Sequence, residues 1–199
     1  MNPDYSASGF KVMARAENVR IYRDVTGLGR IPVGKTYWTL CNLQPPDAGS
    51  EIVQLEKLGF LSKSQFVGVD SDASVIDRNR RWHPSAAWKA MDWVEAVHGT
   101  DFDPAAVYLD TTSFADHDNA ARLLTATLLR SGNGTVVFAN VMLNDPRSRK
   151  RFKADALIAA LGTEIPPGEL RKWCREVVNY EYSMTGKTDM GTCVFVKQG

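Results

Sequence analysis

The sequence has little cysteine, no long apolar run and almost no net charge, and each shortage excludes a class of protein. The three cysteines, Cys41, Cys174 and Cys193, are odd in number and far apart, which argues against a disulfide framework, and no pair has the C-x-x-C spacing of a zinc site. No apolar run approaches the roughly 18 residues of a membrane span, and residues 1–10 are too polar for a signal peptide. We therefore expect a cytoplasmic protein without a membrane partner.

The charge of the chain is almost balanced, with 24 basic against 23 acidic residues and a formal net charge of +1. This balance excludes a uniformly basic nucleic-acid-binding surface but is compatible with a local basic patch. Two short basic runs are present, at 78–81 and 147–151. Each alone is typical of a solvated helix end. The second follows a predicted strand, where it would be placed to receive a phosphate-bearing substrate.

From residue 37 onward, β-type apolar runs alternate with segments of helical periodicity. The predicted strands are 37–41, 65–69, 86–91, 105–109 and 135–143. The predicted helices begin near 51, 73, 93, 114 and 152. Two further strands, 177–184 and 191–197, follow each other without a helix between them, which predicts an antiparallel hairpin.

Such an alternation requires a parallel sheet with helices on both faces. We therefore predict a three-layer α/β/α sandwich whose mostly parallel, seven-stranded sheet ends in a C-terminal antiparallel hairpin. Residues 37–199 form this domain, and residues 1–36 form an N-terminal extension or lid. Within the extension, residues 19–24 alternate between apolar and charged, a pattern typical of a short edge strand or a surface segment.

An aspartate follows each of three predicted strands: Asp70, Asp92 and Asp110. Any one of them is as readily a turn former or a helix cap. Three on successive strands of one sheet favour a binding site, because ligands of open α/β sheets bind at the carboxyl ends of the strands.

The element order and three local motifs resemble the class I S-adenosylmethionine (SAM)-dependent methyltransferases. Residues 66–72, Phe-Val-Gly-Val-Asp-Ser-Asp, resemble the second strand of that family and the turn after it. Met-Asp-Trp at 91–93 resembles the third motif, and Val-Tyr-Leu-Asp at 107–110 falls where the fourth motif ends. The resemblance covers roughly residues 37–197.

The resemblance implies SAM as the cofactor and assigns a role to each motif. The carboxylate of Asp70 would hold the ribose hydroxyls, Asp92 would bind the adenine amino group, and Asp110 would lie beside the transferred methyl group. The remaining cofactor contacts implied are Ser71, Trp93 and, from the first loop, Cys41, Gly49, Ser50 and Glu51.

The first loop departs from the family pattern, which is usually a glycine-rich turn that lets the backbone approach the cofactor. Residues 41–51 here hold one glycine and two prolines. Gly49 and Ser50 still precede a predicted helix N-terminus, where free amides would meet a carboxylate. The prolines motivate an alternative: a methyltransferase-fold binding module that has lost catalysis.

A second alternative comes from residues 29–36, which match the phosphate-loop pattern G-x-x-x-x-G-K-[ST] with Lys35 and Thr36 at its end. A phosphate loop must follow a buried strand and open a helix. Here residues 19–25 alternate and carry charge, and residues 37–41 favour a strand. A nucleotide phosphotransferase using Lys35 and Thr36 is therefore the weaker alternative.

Catalytic side chains are not identified by a motif. Asp110 is one candidate because it ends the fourth strand, and His117 is a second because its helix begins near that edge. The three histidines share no metal-ligand spacing, so we expect no metal site. The methyl acceptor, a small molecule or a nucleic acid, is left open.

Overall fold

The computed structural model of the protein describes residues 9–111, 117–142, 169, 171–172, 174–183 and 189–198. Its strands are β1 (Thr36–Leu40), β2 (Phe66–Asp70), β3 (Ala87–Ala90), β4 (Pro104–Thr111), β5 (Val136–Met142), β6 (Cys174–Ser183) and β7 (Asp189–Lys197). Its helices are α1 (Gly9–Thr26), α2 (Glu51–Lys57), α3 (Ala73–Trp82), α4 (Trp93–Val97) and α5 (His117–Arg130). The helix predicted to begin near 152 and the basic run at 147–151 lie outside the described residues.

Within the described residues the strands form one seven-stranded sheet in the order β3-β2-β1-β4-β5-β7-β6. Neighbours among β1 to β5 are parallel, whereas β7 runs antiparallel to both β5 and β6. The predicted sheet and its C-terminal hairpin are confirmed. The chain order reverses between β1 and β4, which in open α/β sheets creates a crevice at the carboxyl ends of the strands.

The strands place alternate side chains into two hydrophobic cores, one on each face of the sheet. Trp38 and Leu109 belong to the core beneath α4 and α5, whereas Tyr37 and Tyr108 belong to the core beneath α1, α2 and α3. The predicted three layers are therefore confirmed. Because both faces are covered, the strands read as almost continuous apolar runs.

One close contact in the second core requires a glycine. A Cβ atom at Gly68 would lie 2.5 Å from Cζ3 of Trp88 and 2.9 Å from Sγ of Cys41. The indole therefore packs directly on the backbone of β2. Another glycine, Gly59, has a φ of 65° just after α2, a conformation that other residues rarely adopt.

The prediction of an edge strand or surface segment at residues 19–24 is wrong, because these residues belong to α1. The buried residues of α1 recur every three or four positions, as in a helix packed on a core. They are Lys11, Ala14, Arg15, Asn18, Val19, Ile21 and Tyr22. Since Lys11, Arg15 and Asn18 are polar, the pattern of apolar residues alone does not reveal the helical period.

Among the described helices, none has both the length and the apolar content needed to span a lipid bilayer. Within the same residues, no group of three His, Cys, Asp or Glu side chains is arranged to hold a metal ion.

Candidate functional site

A cavity of about 290 Å³ lies at the carboxyl ends of β1, β2, β3 and β4. We call it the carboxyl-edge cavity. Its lining combines apolar side chains with three carboxylates from three strand ends and the guanidinium of α5. The lining residues are Leu40, Cys41, Asn42, Val69, Asp70, Ser71, Met91, Asp92, Trp93, Asp110, Thr111, Arg122 and Leu123.

Asp70 ends β2 and is half-buried in the wall of this cavity. Its Oδ1 atom accepts a hydrogen bond of 2.8 Å from the backbone N–H of Asp72. Burial raises the pKa of Asp70, and the nearby charge of Asp72 acts in the same direction. Among the described residues, no donor contacts the Oδ2 atom of Asp70. One carboxylate oxygen is therefore free to accept from a ligand.

Asp92 follows β3 and caps α4, since its Oδ1 accepts a 2.8 Å hydrogen bond from the backbone N–H of Val94. Its other oxygen, Oδ2, lies 3.7 Å from Nη2 of Arg122 on α5. Trp93 beside it is buried, and its indole N–H donates to Oγ1 of Thr127 at 2.9 Å. The indole is thus fixed as a wall of the cavity, while Asp92 stays accessible.

Asp110 near the end of β4 is engaged through both carboxylate oxygens. Oδ2 accepts from Nζ of Lys11 at 2.8 Å, and Oδ1 accepts from Nδ2 of Asn140 at 2.7 Å. Thr192 on β7 donates to Oδ1 of Asn140 at 2.9 Å, so the amide nitrogen must face Asp110. The exposed fractions of the Lys11 and Asp110 side chains are 5% and 8%. This is a buried ion pair between α1 and the sheet.

The first loop is held by Gln44, which is 2% exposed. Its side-chain Oε1 accepts from the backbone N–H of Glu51 at 2.8 Å and of Ile52 at 3.4 Å. Its own backbone N–H donates to Oδ1 of Asn79, and its carbonyl oxygen lies 2.8 Å from Nε2 of His83. Asn79 and His83 therefore fix the backbone of Gln44, whose side chain accepts from the first amides of α2.

The two amides that precede Glu51 have partners as well. The N–H of Gly49 donates to Oδ1 of Asp47 at 2.8 Å, and the N–H of Ser50 donates to the carbonyl oxygen of Asp47 at 3.3 Å. The expectation of free amides at Gly49 and Ser50 is therefore wrong, because the loop satisfies them internally. Neither residue lines the carboxyl-edge cavity.

Glu51 is buried away from the cavity. The hydroxyl of Tyr37 donates to its Oε1 at 2.5 Å. Burial is the main reason that the pKa of Glu51 is raised, and the charge of Arg15 opposes the shift. Arg15 donates to the carbonyl oxygen of Gly49 at 2.9 Å and to Oε1 of Gln54 at 3.2 Å. These contacts tie α1 to α2 beside the first loop.

Cys41 follows β1 and is buried at the floor of the cavity. Burial raises the pKa of its thiol, and the charges of Asp70 and Glu51 add to the effect. The thiol is thus kept protonated, which suits a packing role and not a nucleophile.

The predicted site residues divide into two groups. Asp70, Ser71, Asp92, Trp93, Cys41 and Asp110 line one cavity, whereas Gly49, Ser50 and Glu51 lie outside it. His117 is the first residue of α5, and its side chain lies outside the described part of the chain. The cofactor-binding roles assigned to these residues remain predictions.

Sequence reasoning missed Lys11, Gln44, Asn140 and Arg122. Lys11 and Gln44 lie in segments without a motif. The only signal was the helical spacing of Lys11 and Arg15, one turn apart on α1. Asn140 lies within β5, and its partnership with Asp110 depends on the strand register, which pairs the two residues directly.

The phosphate-loop alternative is contradicted by its structural context. Residues 29–36 follow α1 and lead into β1, so they neither follow a strand nor open a helix. Nζ of Lys35 donates to Oδ1 of Asp103 at 2.5 Å, and the hydroxyl of Thr36 donates to the carbonyl oxygen of Asp103. This loop precedes β1, at the opposite end of the strands from the carboxyl-edge cavity.

The fold matches solved methyltransferase structures at low sequence identity. The N-methyltransferase NodS from Bradyrhizobium japonicum WM9 has a TM-score of 0.59 and 11% identity, covering 96% of this chain and 97% of that one. A TehB-like SAM-dependent methyltransferase from Corynebacterium glutamicum has a TM-score of 0.54 and 16% identity, over 99% and 100% of the two chains. The glycopeptide N-methyltransferase MtfA, solved with SAM, has a TM-score of 0.58 and 10% identity, over 94% and 87%. No family model and no curated protein matches the chain.

These similarities show the fold, which is that of the class I SAM-dependent methyltransferases, as the resemblance predicted.

Proposed function

We propose that the chain binds SAM in the carboxyl-edge cavity and acts as a methyltransferase-like protein on a small-molecule or nucleic-acid acceptor. The observation that supports this most directly is the pair of carboxylates at the ends of adjacent strands. Asp70 pairs in register with Ala90, so β2 and β3 bring Asp70 and Asp92 to one cavity. Open α/β folds bind nucleotides at this edge.

The residues present fit the adenosine half of SAM. The free Oδ2 of Asp70 can accept from a ribose hydroxyl, and Asp92 can accept from the adenine amino group. Leu40, Met91 and Leu123 supply apolar surface for the base. When bound, SAM supplies a methyl group on a positively charged sulfur. The role of the protein is to hold the methyl donor and to orient the acceptor, which is the main requirement of such a transfer.

Residues 1–36 belong to this proposal as a cover over the cavity, with residues 37–199 as the catalytic domain. Lys11 supports the idea, because α1 reaches Asp110 at the rim of the cavity. We further propose a cytoplasmic location, since the buried Cys41 thiol, which forms no disulfide, suits a reducing compartment.

A binding module without catalysis is a second candidate, and the Lys11–Asp110 pair favours it. Both oxygens of Asp110 are already engaged by the protein. Asp110 therefore accepts no substrate proton unless Lys11 moves away. An enzyme that uses Asp110 as its base must release α1, whereas a binding module need not.

Titration calorimetry of the full chain with SAM and S-adenosylhomocysteine tests the proposal. We expect both to bind, and Asp70→Asn to weaken both about tenfold or more, since hydrogen bonds to charged groups contribute about 1.5–3 kcal/mol. Asp77→Asn, the same change at an exposed position of α3, is the matched control and leaves binding unchanged.

Failure of both adenosyl ligands to bind would overturn the proposal. If SAM bound but no methyl group passed from radiolabelled SAM to any acceptor, the result would favour the binding module without catalysis. If Mg-ATP bound tightly and Lys35→Ala abolished that binding, the result would support the phosphate-loop alternative.

A further inference from the structure

Helix α3 exposes a tryptophan beside two arginines. Trp82, the last residue of α3, is 39% exposed, whereas the other three tryptophans in the described part of the chain are buried. Arg78 and Arg81 are exposed as well. Since residues three and four positions apart are neighbours on a helix surface, Arg78 lies next to both Arg81 and Trp82. We call Arg78, Arg81 and Trp82 the α3 patch.

The α3 patch carries positive charge that no ion pair neutralises within the described residues. Asp77, the single acidic residue of α3, pairs with Arg80 at 2.9 Å and not with Arg78 or Arg81. Asp72 caps the start of the helix and interacts with the charge of Arg78 without a hydrogen bond or an ion pair. Two guanidinium groups therefore face solvent together, in a chain whose formal net charge is only +1.

The backbone that carries Trp82 is fixed by the residue after it. His83 is 2% exposed, and its backbone N–H donates to the carbonyl oxygen of Asn79 at 2.8 Å. The carbonyl oxygen of His83 accepts from the indole N–H of Trp88 at 2.9 Å, and its Nε2 lies 2.8 Å from the carbonyl oxygen of Gln44. A partner that packs on the Trp82 indole therefore meets a preorganised backbone, which lowers the entropic cost of binding.

An exposed aromatic ring beside guanidinium groups has the chemistry that recognises an unpaired nucleic-acid strand. Bases stack on the ring, and arginine binds phosphate groups. RNA presents such unpaired bases in its loops and at its ends. A helix that lies on a membrane presents a broad apolar face. Within α3, which is described throughout, Trp82 is the one exposed large apolar residue, so the patch fits RNA better than a lipid surface.

We propose that the α3 patch binds an unpaired strand of RNA, with Arg78 and Arg81 on its phosphates and a base stacked on Trp82. Ser71, in the turn before α3, lines the carboxyl-edge cavity, and Arg78 lies about 8 Å along the helix axis from Ala73. A strand bound on α3 can therefore extend to the cavity. That this strand is the methyl acceptor rests on the proposed function, whereas its binding to α3 does not.

Fluorescence anisotropy of a short labelled single-stranded RNA with the full chain tests this inference. We expect Trp82→Ala to weaken binding about fivefold or more, because it removes the ring on which a base stacks. Trp82→Phe keeps an aromatic ring and is expected to retain most of the affinity. Circular dichroism establishes that each variant is folded.

The two arginines are tested by the salt dependence of the same binding. Arg78→Ala and Arg81→Ala are each expected to weaken binding and to reduce the slope of log affinity against log salt by about 0.7, the contribution of one phosphate contact on a single strand. Arg20→Ala is the matched control, because it removes the same charge from an exposed position of α1 where Glu17 and Asp24 pair with the arginine. It leaves affinity and slope unchanged.

Three outcomes would overturn the inference. In the first, the RNA does not bind, or binds with an affinity that no variant of the α3 patch changes. In the second, a duplex of the same sequence binds as tightly as the single strand, because a base that stacks on Trp82 must be unpaired. In the third, vesicles that contain an anionic lipid bind through Trp82 and the RNA does not, which would assign the patch to a membrane surface.

Calorimetry with SAM and S-adenosylhomocysteine separates this inference from the proposed function. Since no residue of the α3 patch lines the carboxyl-edge cavity, Trp82→Ala leaves the affinity for both adenosyl ligands unchanged. If the RNA binds as expected and neither adenosyl ligand does, the inference holds and the proposed function fails. If the adenosyl ligands bind and the RNA does not, the inference alone fails.

Discussion

Nζ of Lys11 lies 2.8 Å from Oδ2 of Asp110, and the two residues are 99 positions apart in the chain. This buried ion pair fixes the N-terminal helix on the rim of the carboxyl-edge cavity. Asn140 holds the other oxygen of Asp110, so the carboxylate has a set orientation. The pair therefore connects the stability of the fold with access to the site.

Lys11→Ala is expected to destabilise the protein by about 3–5 kcal/mol, because it leaves the carboxylate of Asp110 buried without its cation. Urea unfolding measures the change. Lys35→Ala is the matched control: its pair with Asp103 is exposed, with side-chain exposed fractions of 45% and 61%, and is expected to contribute less than about 1 kcal/mol. Equal effects of the two changes would show that the Lys11 pair is not buried in solution.

Gln44→Ala is expected to reduce the free energy of unfolding by about 1–3 kcal/mol, because the buried N–H of Glu51 loses its acceptor. The measurement is again urea unfolding. Gln44→Glu keeps an acceptor at the same place and is expected to recover part of the loss. A neutral effect of Gln44→Ala would mean that water or another group already satisfies the start of α2.

Glu51 makes stability depend on pH in a definite direction. Its folded-state pKa is raised by burial, so the folded protein keeps a proton that the unfolded chain releases above the ordinary value of 4.5. In that window the folded state binds more protons, and stability falls as the pH rises from 4.5 toward the folded pKa.

The variant Glu51→Gln keeps an acceptor for Tyr37 but does not titrate. Relative to wild type it is expected to be about equally stable near pH 4 and to become progressively more stable toward pH 7, because it has no proton to lose over that range. Unfolding curves at both pH values measure this. Glu56→Gln, an exposed change on α2, is the control. A constant difference between wild type and Glu51→Gln would contradict the raised pKa.

Gly68→Ala is expected to destabilise the protein by about 1–3 kcal/mol or more, because the added methyl group overlaps the ring of Trp88. Thermal unfolding measures the effect. Gly132→Ala adds the same methyl group where nothing lies within 4 Å, and it is expected to change stability by less than about 1 kcal/mol. A tolerated Gly68→Ala would require the Trp88 ring to move away from β2.

The β/α order could be predicted because β1, β2 and β4 are short apolar runs that end in polar turn or cap residues. Asp72 and Asp92 accept from the backbone N–H two residues on, which is the ordinary signature of a helix start. The convergence of Asp70, Asp92 and Asp110 followed from the parallel sheet alone. These features depend on local sequence and on one topological rule.

The remaining features depend on contacts between distant residues. Helix α1 was missed because Lys11 and Arg15 are buried by partners elsewhere in the chain, and hydropathy treats such residues as exposed. The role of Gln44 was missed because its side chain acts on amides seven and eight residues later through a loop of no regular structure. Long-range polar pairing of this kind leaves no periodic pattern in the sequence.

Helix α1 is held in place by residues from distant parts of the chain. Its anchor, Asp110, follows 99 positions behind Lys11, and the amide that orients Asp110 comes from β5. The partner of Lys11 is therefore in place only when β4 and β5 have paired, whereas Arg15 is held by Gly49 and Gln54 beside α2. Because a contact between residues 99 positions apart closes a long loop at an entropic cost, the docking of Lys11 is coupled to the assembly of the sheet.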